Sequence, residues 1–156
     1  RYVSTISNGG TCYDLTLINS IVDTSTDKKK NNKANVRNKL DIQDSTFEAI
    51  RKGMYMVVNT GSLSSVFKDV PVKVAGKTGT AQISDNEPNH ALFVSYAPYN
   101  SPEISVTVVM PNAFTSSNAA SLASYIYRYY FDESSRKKLL KNSATTPASN
   151  SGGVTD

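Results

Sequence analysis

Three short apolar segments separated by turn residues constrain the fold more than any other feature of the sequence. Val70, Val72 and Val74 alternate with Pro71 and Lys73, which predicts a strand over residues 72–83. Apolar residues recur at every second position from 104 to 110, and the apolar run 91–96 fits a buried strand within residues 90–97. The sequence PYNSP at residues 98–102 is typical of a turn between the second and third segments. Consecutive strands joined by short turns pair in antiparallel fashion, so we expect one antiparallel sheet over these three segments.

Two longer segments have the spacing of amphipathic helices. Residues 45–59 begin at Ser45, a favourable N-cap, and Glu48 three residues later completes a capping box. Residues 117–131 form the second helix, and residues 2–6 resemble the end of another one. The side chains expected to face the core are Phe47, Ile50, Met54 and Val57 in the first helix and Leu122, Ile126 and Tyr130 in the second. Helices flanking an antiparallel sheet predict the α+β class.

The remaining segments are more polar. Leu15–Val22 alternates imperfectly, which predicts a further strand. Residues 23–39 are rich in lysine and asparagine, which is typical of a loop. Residues 132–156 have little to bury, which predicts a disordered polar tail. At 156 residues the chain holds one domain at most, and we expect it to occupy residues 1–131.

Charge and the scarcity of cysteine and histidine limit the function classes. No apolar run approaches the roughly 18 residues that span a bilayer. With Cys12 as the single cysteine and one histidine, a zinc site is not expected, and no cofactor or metal is predicted. The formal net charge of +4 leaves a nucleic-acid-binding domain as an alternative of another class. The basic run from Lys28 to Lys39 lacks interleaved aromatic residues, however, which favours a solvated loop and no nucleic acid partner.

The segment VKVAGKTGTAQ, residues 72–82, fits two anion-binding motifs. Its GKT triplet matches the end of a P-loop, whose first glycine would fall at position 71. That residue is Pro71, which has no N–H to offer a phosphate, and the residues after the triplet continue a strand instead of opening a helix. We therefore reject the P-loop and retain the KTG triplet, residues 77–79, on an edge strand that binds a peptide-like ligand.

Four segments, in the correct order, resemble class B penicillin-binding proteins. KTGTAQ followed by NHALFVSYAPYNSPEISVTVVM resembles strands in the C-terminal part of their transpeptidase domain, with Ser95 where the family has glycine. The other segments are YVSTISNGGTCY, FEAIRKGMYMVVNTGS and ASLASYIYRYYF. The resemblance covers about residues 1–131 and implies part of the penicillin-binding, serine β-lactamase-like fold.

This resemblance also implies an activity and a set of site residues. Members of the family cross-link peptidoglycan stem peptides through an acyl-serine intermediate, and penicillin acylates the same serine. The D-Ala-D-Ala stem peptide and β-lactams are therefore the expected partners. Lys77 is the expected catalytic residue, which holds the substrate carboxylate and supports proton transfer. Thr78 and Thr80 are expected to hydrogen-bond that carboxylate, Gly79 to let substrate lie against the strand, and the Thr80 N–H to form half of the oxyanion hole.

The family has three active-site motifs: Ser-x-x-Lys, which carries the nucleophile, Ser-x-Asn and Lys-Thr-Gly. The first two have no suitable counterpart in this sequence. Ser-x-x-Lys strings begin at Ser25, Ser65, Ser134 and Ser135, and SDN begins at Ser84, but their order and surroundings do not suit a nucleophile. We expect the chain to be inactive alone. Its parent is expected at the extracytoplasmic face of the bacterial membrane, anchored by an N-terminal segment that this sequence does not contain.

Two further expectations concern the parent and the surface. A penicillin-recognising sensor remains an alternative to a transpeptidase as the parent protein. The missing upstream part of the domain is expected to leave apolar side chains uncovered in this chain, which could lead to self-association.

Overall fold

The computed structural model describes residues 1–142, which contain four helices and seven strands. In chain order these are α1 (Tyr2–Ser7), β1 (Thr11–Tyr13), β2 (Ser20–Asp23), β3 (Lys28–Asn31), β4 (Val36–Lys39), α2 (Asp44–Asn59), β5 (Ala75–Ala81), β6 (His90–Ala97), β7 (Ile104–Met110), α3 (Ser116–Phe131) and α4 (Glu133–Asn142). The strands form three antiparallel sheets, β1 with β4, β2 with β3, and a central sheet in the order β5-β6-β7. The α+β prediction is confirmed.

The central sheet forms where the sequence predicts it, and the strand partners set its limits. β5 pairs with β6 along its whole length, and β6 pairs with β7. β5 covers residues 75–81 instead of 72–83, and its pairing with β6 runs from Ala75 opposite Tyr96 to Ala81 opposite His90. Residues 82–83 lie beyond the end of β6 and have no partner strand.

Helices cover both faces of the central sheet. Phe93, Ser95 and Val106 belong to one face, where α3 packs. Tyr96 belongs to the opposite face, where it contacts the core residues of α1 and α2. Those residues are Val3, Ile6 and Met54. Since side chains alternate along a strand, neighbouring residues of β5 face different helices.

The contact between α3 and the sheet differs from the prediction. Leu122, Ile126 and Tyr130 are between 38% and 47% exposed, so the prediction that they pack on the sheet is wrong. The buried residues of α3 are Ala119, Ala120, Ala123, Ser124 and Tyr127. Alanine allows the helix to approach closely, and the buried Tyr127 hydroxyl then donates a hydrogen bond to Ser95 Oγ over 2.9 Å. Ser95 Oγ in turn donates to the Val106 carbonyl over 3.2 Å.

α2 begins one residue earlier than expected and has a different N-cap. The N-cap residue is Gln43, and no side chain hydrogen-bonds at this terminus, so the predicted capping box of Ser45 and Glu48 is wrong. Asp44 in the first turn interacts favourably with the helix dipole instead. The fully buried positions are Phe47, Met54 and Val58. Ile50, also expected in the core, is 42% exposed because it borders the cleft described below.

Residues 11–40, here called the arm, contain two small sheets. β1 and β4 pair at its base, and β2 and β3 pair beyond them. The prediction of a loop over residues 23–39 is therefore wrong, and the strand expected over Leu15–Val22 begins only at Ser20. All residues of β3 and β4 are exposed. A strand that is solvated on both faces needs no apolar alternation, so the sequence pattern did not reveal it.

α4 occupies the beginning of the segment that was expected to be a disordered tail. The Asp132 carboxylate accepts hydrogen bonds from the hydroxyls of Ser135 and Ser134 and from the Ser134 N–H at the start of this helix. These bonds lower the pKa of Asp132 to about 2. Over 133–142 the structure thus differs from the prediction, and residues 143–156 lie outside the described part of the chain.

Candidate functional site

The KTG triplet lies in β5, which forms one edge of the central sheet. Lys77, Thr78, Gly79 and Thr80 are opposite Val94, Phe93, Leu92 and Ala91 of β6. Within residues 1–142 no strand pairs with the other side of β5. A run of main-chain N–H and C=O groups is therefore open to an extended peptide, as the sequence interpretation requires.

The four predicted site residues are brought together but divide between the two sides of β5. Lys77 and Gly79 lie on the side of α1 and α2, and Thr78 and Thr80 lie on the side of α3. Lys77 is exposed, and its Nζ donates to the carbonyl of its neighbour Thr78 over 3.1 Å. Among the described residues no carboxylate forms an ion pair with Lys77. Its charge is thus free to bind an anionic ligand.

Two glycines give β5 its shape for different reasons. A Cβ on Gly76 would lie 2.4 Å from Phe93 Cζ and 3.0 Å from Ser95 Cβ, so the strand can pack on the Phe93 ring only with glycine at this position. A Cβ on Gly79 would meet only Leu92 Cβ, at 3.4 Å. The fold therefore requires Gly76, whereas it leaves room for a side chain at Gly79.

Asn59, at the end of α2, holds the chain just before β5. Its Nδ2 donates to the carbonyls of Tyr55 over 2.9 Å and Val74 over 2.7 Å. These bonds connect the helix to the residue that precedes the strand and thereby help to position the KTG triplet. This contact could not be predicted from the sequence, since a bond from a side chain to the main chain 15 residues away leaves no periodic pattern.

A cleft of about 430 Å³ lies beside Lys77, and we name it the Lys77 cleft. Its walls come from α1, α2 and β6, and the side chains that define it are Tyr2, Ile6, Ile50, Met54 and Val94. Among the residues that the structure describes, Lys77 is the only charged one in the lining of this cleft. An ammonium group at the border of an apolar cleft attracts an anionic group more strongly than one in open water. Periodicity predicted Ile50 and Met54 as buried residues but did not reveal the cleft.

The serines that head the Ser-x-x-Lys strings lie elsewhere. Ser25 is in the turn between β2 and β3, Ser65 follows α2, and Ser134 and Ser135 are in α4. Ser84 is in the connection between β5 and β6. None of these residues lines the Lys77 cleft.

The described residues contain neither a candidate metal cluster nor a candidate membrane-spanning helix. No group of three histidine, cysteine or acidic residues in positions 1–142 could hold a metal ion. In the same range no helix has the length and apolar character needed to cross a membrane.

Comparisons with known proteins identify the family. Residues 1–128 match the penicillin binding protein transpeptidase domain. Peptidoglycan D,D-transpeptidase MrdA of Haemophilus influenzae is 41% identical over 104 residues, which are 56% of this chain and 16% of the relative. Penicillin-binding protein 2B of Streptococcus pneumoniae superposes with a TM-score of 0.71 at 28% identity, over 84% of this chain and 24% of that structure.

A third match supports the same fold. An imipenem acyl-enzyme complex of penicillin-binding protein A from M. tuberculosis has a TM-score of 0.66 at 22% identity, over 78% of this chain and 27% of that structure. The chain thus spans between 16% and 27% of the length of these three proteins. With the family matched over residues 1–128, the chain belongs to the penicillin-binding protein transpeptidase family and has part of its serine β-lactamase-like fold.

Proposed function

We propose that this chain is the substrate-binding part of a peptidoglycan D,D-transpeptidase, with β5 as the strand on which a stem peptide lies. The observation that carries the proposal is the edge of β5, which has no partner strand within residues 1–142, and where Lys77, without an ion pair in the same range, borders an apolar cleft. The D-Ala-D-Ala end of the peptide pairs with main-chain groups of β5, and its carboxylate accepts a charged hydrogen bond from the Lys77 ammonium. β-Lactams, which carry a comparable carboxylate, bind in the same place.

The neighbouring residues have distinct roles in this proposal. Lys77 also supports proton transfer, and the Thr78 and Thr80 hydroxyls donate to the substrate carboxylate. Gly79 has no side chain to separate the substrate from the strand, and the Thr80 N–H donates to the oxyanion that forms during acylation. The Thr78 and Thr80 side chains leave β5 on the side opposite to Lys77. The two hydroxyls and the ammonium group therefore approach the substrate carboxylate from either side of the open edge.

The nucleophile comes from another part of the longer protein. Support for this step is that the described serines of the Ser-x-x-Lys strings do not line the Lys77 cleft, and that the chain covers only 16% of MrdA. The segment that carries the nucleophile covers the Lys77 cleft and buries its apolar wall. The parent protein acts at the extracytoplasmic face of the membrane, where peptidoglycan is assembled.

Acylation by a labelled penicillin tests the proposal, with intact-mass spectrometry as the readout. The isolated chain should form no covalent adduct, because nucleophile, base and oxyanion hole act as a unit. The complete transpeptidase domain should form one adduct per molecule. In that domain Lys77→Ala should slow acylation about 10- to 100-fold, since a hydrogen bond to a charged group contributes about 1.5–3 kcal/mol.

Lys73→Ala is the matched control, because Lys73 is an exposed lysine that precedes β5 and lies outside the Lys77 cleft. It should acylate at the wild-type rate. A stoichiometric adduct on any serine of the isolated chain would contradict the proposal. Acylation without subsequent transfer to an acceptor amine would identify the parent as a penicillin-recognising sensor instead of a transpeptidase.

A further inference from the structure

The arm exposes more aliphatic surface than a strand hairpin in water requires. Leu17 is fully exposed, Leu15 is 71% exposed and Ile21 is 60% exposed. Ile18 and Val22 beside them are also more than half exposed. β2 and β3 pack chiefly on each other, so the described part of the chain offers nothing that covers these side chains. A concentration of exposed aliphatic groups in one projecting element is typical of a contact surface.

Basic side chains alternate with these aliphatic groups. Ile21 shares one face of the β2–β3 hairpin with Lys28, Lys30 and Asp23, and Val22 shares the other face with Lys29. The arm contains six basic residues and three aspartates. Among the described residues its lysines form no ion pair. The hairpin therefore presents a positive charge next to an apolar group on either face.

This combination fits one kind of partner better than the others. A second copy of the chain would bring six basic residues against six, which is unfavourable. Single-stranded nucleic acid is bound through aromatic stacking, and the single aromatic residue of the arm is Tyr13, at its base. An anionic bilayer has negative headgroups above hydrocarbon, so lysine can remain among the headgroups while leucine and isoleucine insert below them.

We propose that the arm docks on an anionic lipid surface, with Leu15, Leu17 and Ile18 inserted at the headgroup boundary. Lys29 and Lys30, which lie on opposite faces of the hairpin, contact the phosphates on either side of it. The surface is separate from the KTG strand, so this role does not depend on the proposed transpeptidase activity. Its effect would be to hold the domain in one orientation at the membrane.

Vesicle co-sedimentation of the complete transpeptidase domain, prepared without any membrane-spanning segment, tests the proposal. We expect binding to vesicles of phosphatidylglycerol and phosphatidylcholine in equal parts, and none to phosphatidylcholine alone. Replacing Lys29 and Lys30 by serine should weaken binding about 25-fold, or about fivefold for each lysine. Leu17→Ser should also weaken it, and since Leu17 is fully exposed the substitution leaves the fold intact.

The matched control replaces Lys137 and Lys138 of α4, which are also exposed, by serine. This pair removes the same charge from another surface and should leave vesicle binding within about twofold of wild type. Three results would overturn the proposal: equal binding to both kinds of vesicle or to neither, an equal loss with the control pair, or no effect of Leu17→Ser. The last result would indicate attraction to any polyanion. Penicillin acylation is measured on each variant, and a normal rate shows that the variant is folded. If the proposed transpeptidase function is wrong, acylation is absent from the wild-type domain as well, and this result is independent of vesicle binding.

Discussion

The substitutions Gly76→Ala and Gly79→Ala distinguish what the fold requires of β5 from what substrate binding requires of it. Both residues lie in β5, three positions apart, and both substitutions add one methyl group. At Gly76 the new Cβ would lie 2.4 Å and 2.8 Å from two atoms of the Phe93 ring. Phe93 is fully buried, so its ring cannot move aside without disturbing the core. Overpacking of this kind costs about 1–3 kcal/mol of stability.

At Gly79 the same methyl group meets only Leu92 Cβ, at an ordinary contact distance of 3.4 Å. Alanine also reduces the conformational entropy of the unfolded chain, which adds about 0.4–1 kcal/mol of stability where the backbone accepts it. We therefore expect Gly79→Ala to leave stability equal or slightly higher. Acylation by penicillin should nevertheless become slower, because the methyl group stands between the substrate and β5.

Urea unfolding and the acylation rate, both measured on the complete domain, provide the two readouts. Gly76→Ala should lower the unfolding midpoint, and Gly79→Ala should lower the acylation rate alone. The reasoning is refuted if Gly79→Ala acylates at the wild-type rate, since substrate would then not lie against that position. An unchanged midpoint for Gly76→Ala would show that the Phe93 contact does not constrain the strand.

Three further predictions concern stability. Ser95→Ala should lower the free energy of unfolding, measured in urea, by about 1–3 kcal/mol, because it leaves the buried Tyr127 hydroxyl without its partner. The double variant with Tyr127→Phe should lose less stability than the sum of the two single variants. The Asp132 carboxyl should titrate near pH 2 by NMR. This folded-state pKa lies below the usual 3.8, so the Asp132 carboxylate stabilises α4 fully above about pH 4 and loses this effect as the pH falls towards 2. Titration near 3.8 would contradict the capping bonds. His90 Nδ1 accepts the Asn112 N–H over 3.1 Å, so His90→Ala should cost about 0.5–1.5 kcal/mol in urea unfolding and His90→Asn, which keeps an acceptor, should cost less.

The central sheet could be predicted from the sequence, whereas the packing of its helices could not. Alternation along residues 103–110 and the turn at 98–102 sufficed to define β6 and β7. In α3, however, the leucine and alanine stripes are both apolar at helical spacing. Periodicity cannot decide between them, because the choice depends on how closely the helix approaches the sheet. In the structure the alanine stripe, Ala119, Ala120 and Ala123, shares a buried core cluster with Phe93.

The candidate site was predictable in its strand but not in its surroundings. The KTG triplet required an edge strand, and β5 is one. The Lys77 cleft depends on three elements that are far apart in sequence, and the Asn59 contacts depend on the exact end of α2. No local pattern encodes either feature. The roles of Lys77, Thr78, Gly79 and Thr80 remain predictions that acylation kinetics will test.

The alternation of side chains along β5 restricts which insertions and deletions this segment can accept. Deleting one residue between Val74 and Lys77 would turn the lysine towards α3 and force a larger residue under Phe93 in place of Gly76. Deleting two would restore the side but move the ammonium about 6.6 Å along the edge, out of reach of the carboxylate of a peptide paired with β5. The spacing from the Asn59 contact at Val74 to Lys77 should therefore be constant in working relatives, even where the individual side chains differ.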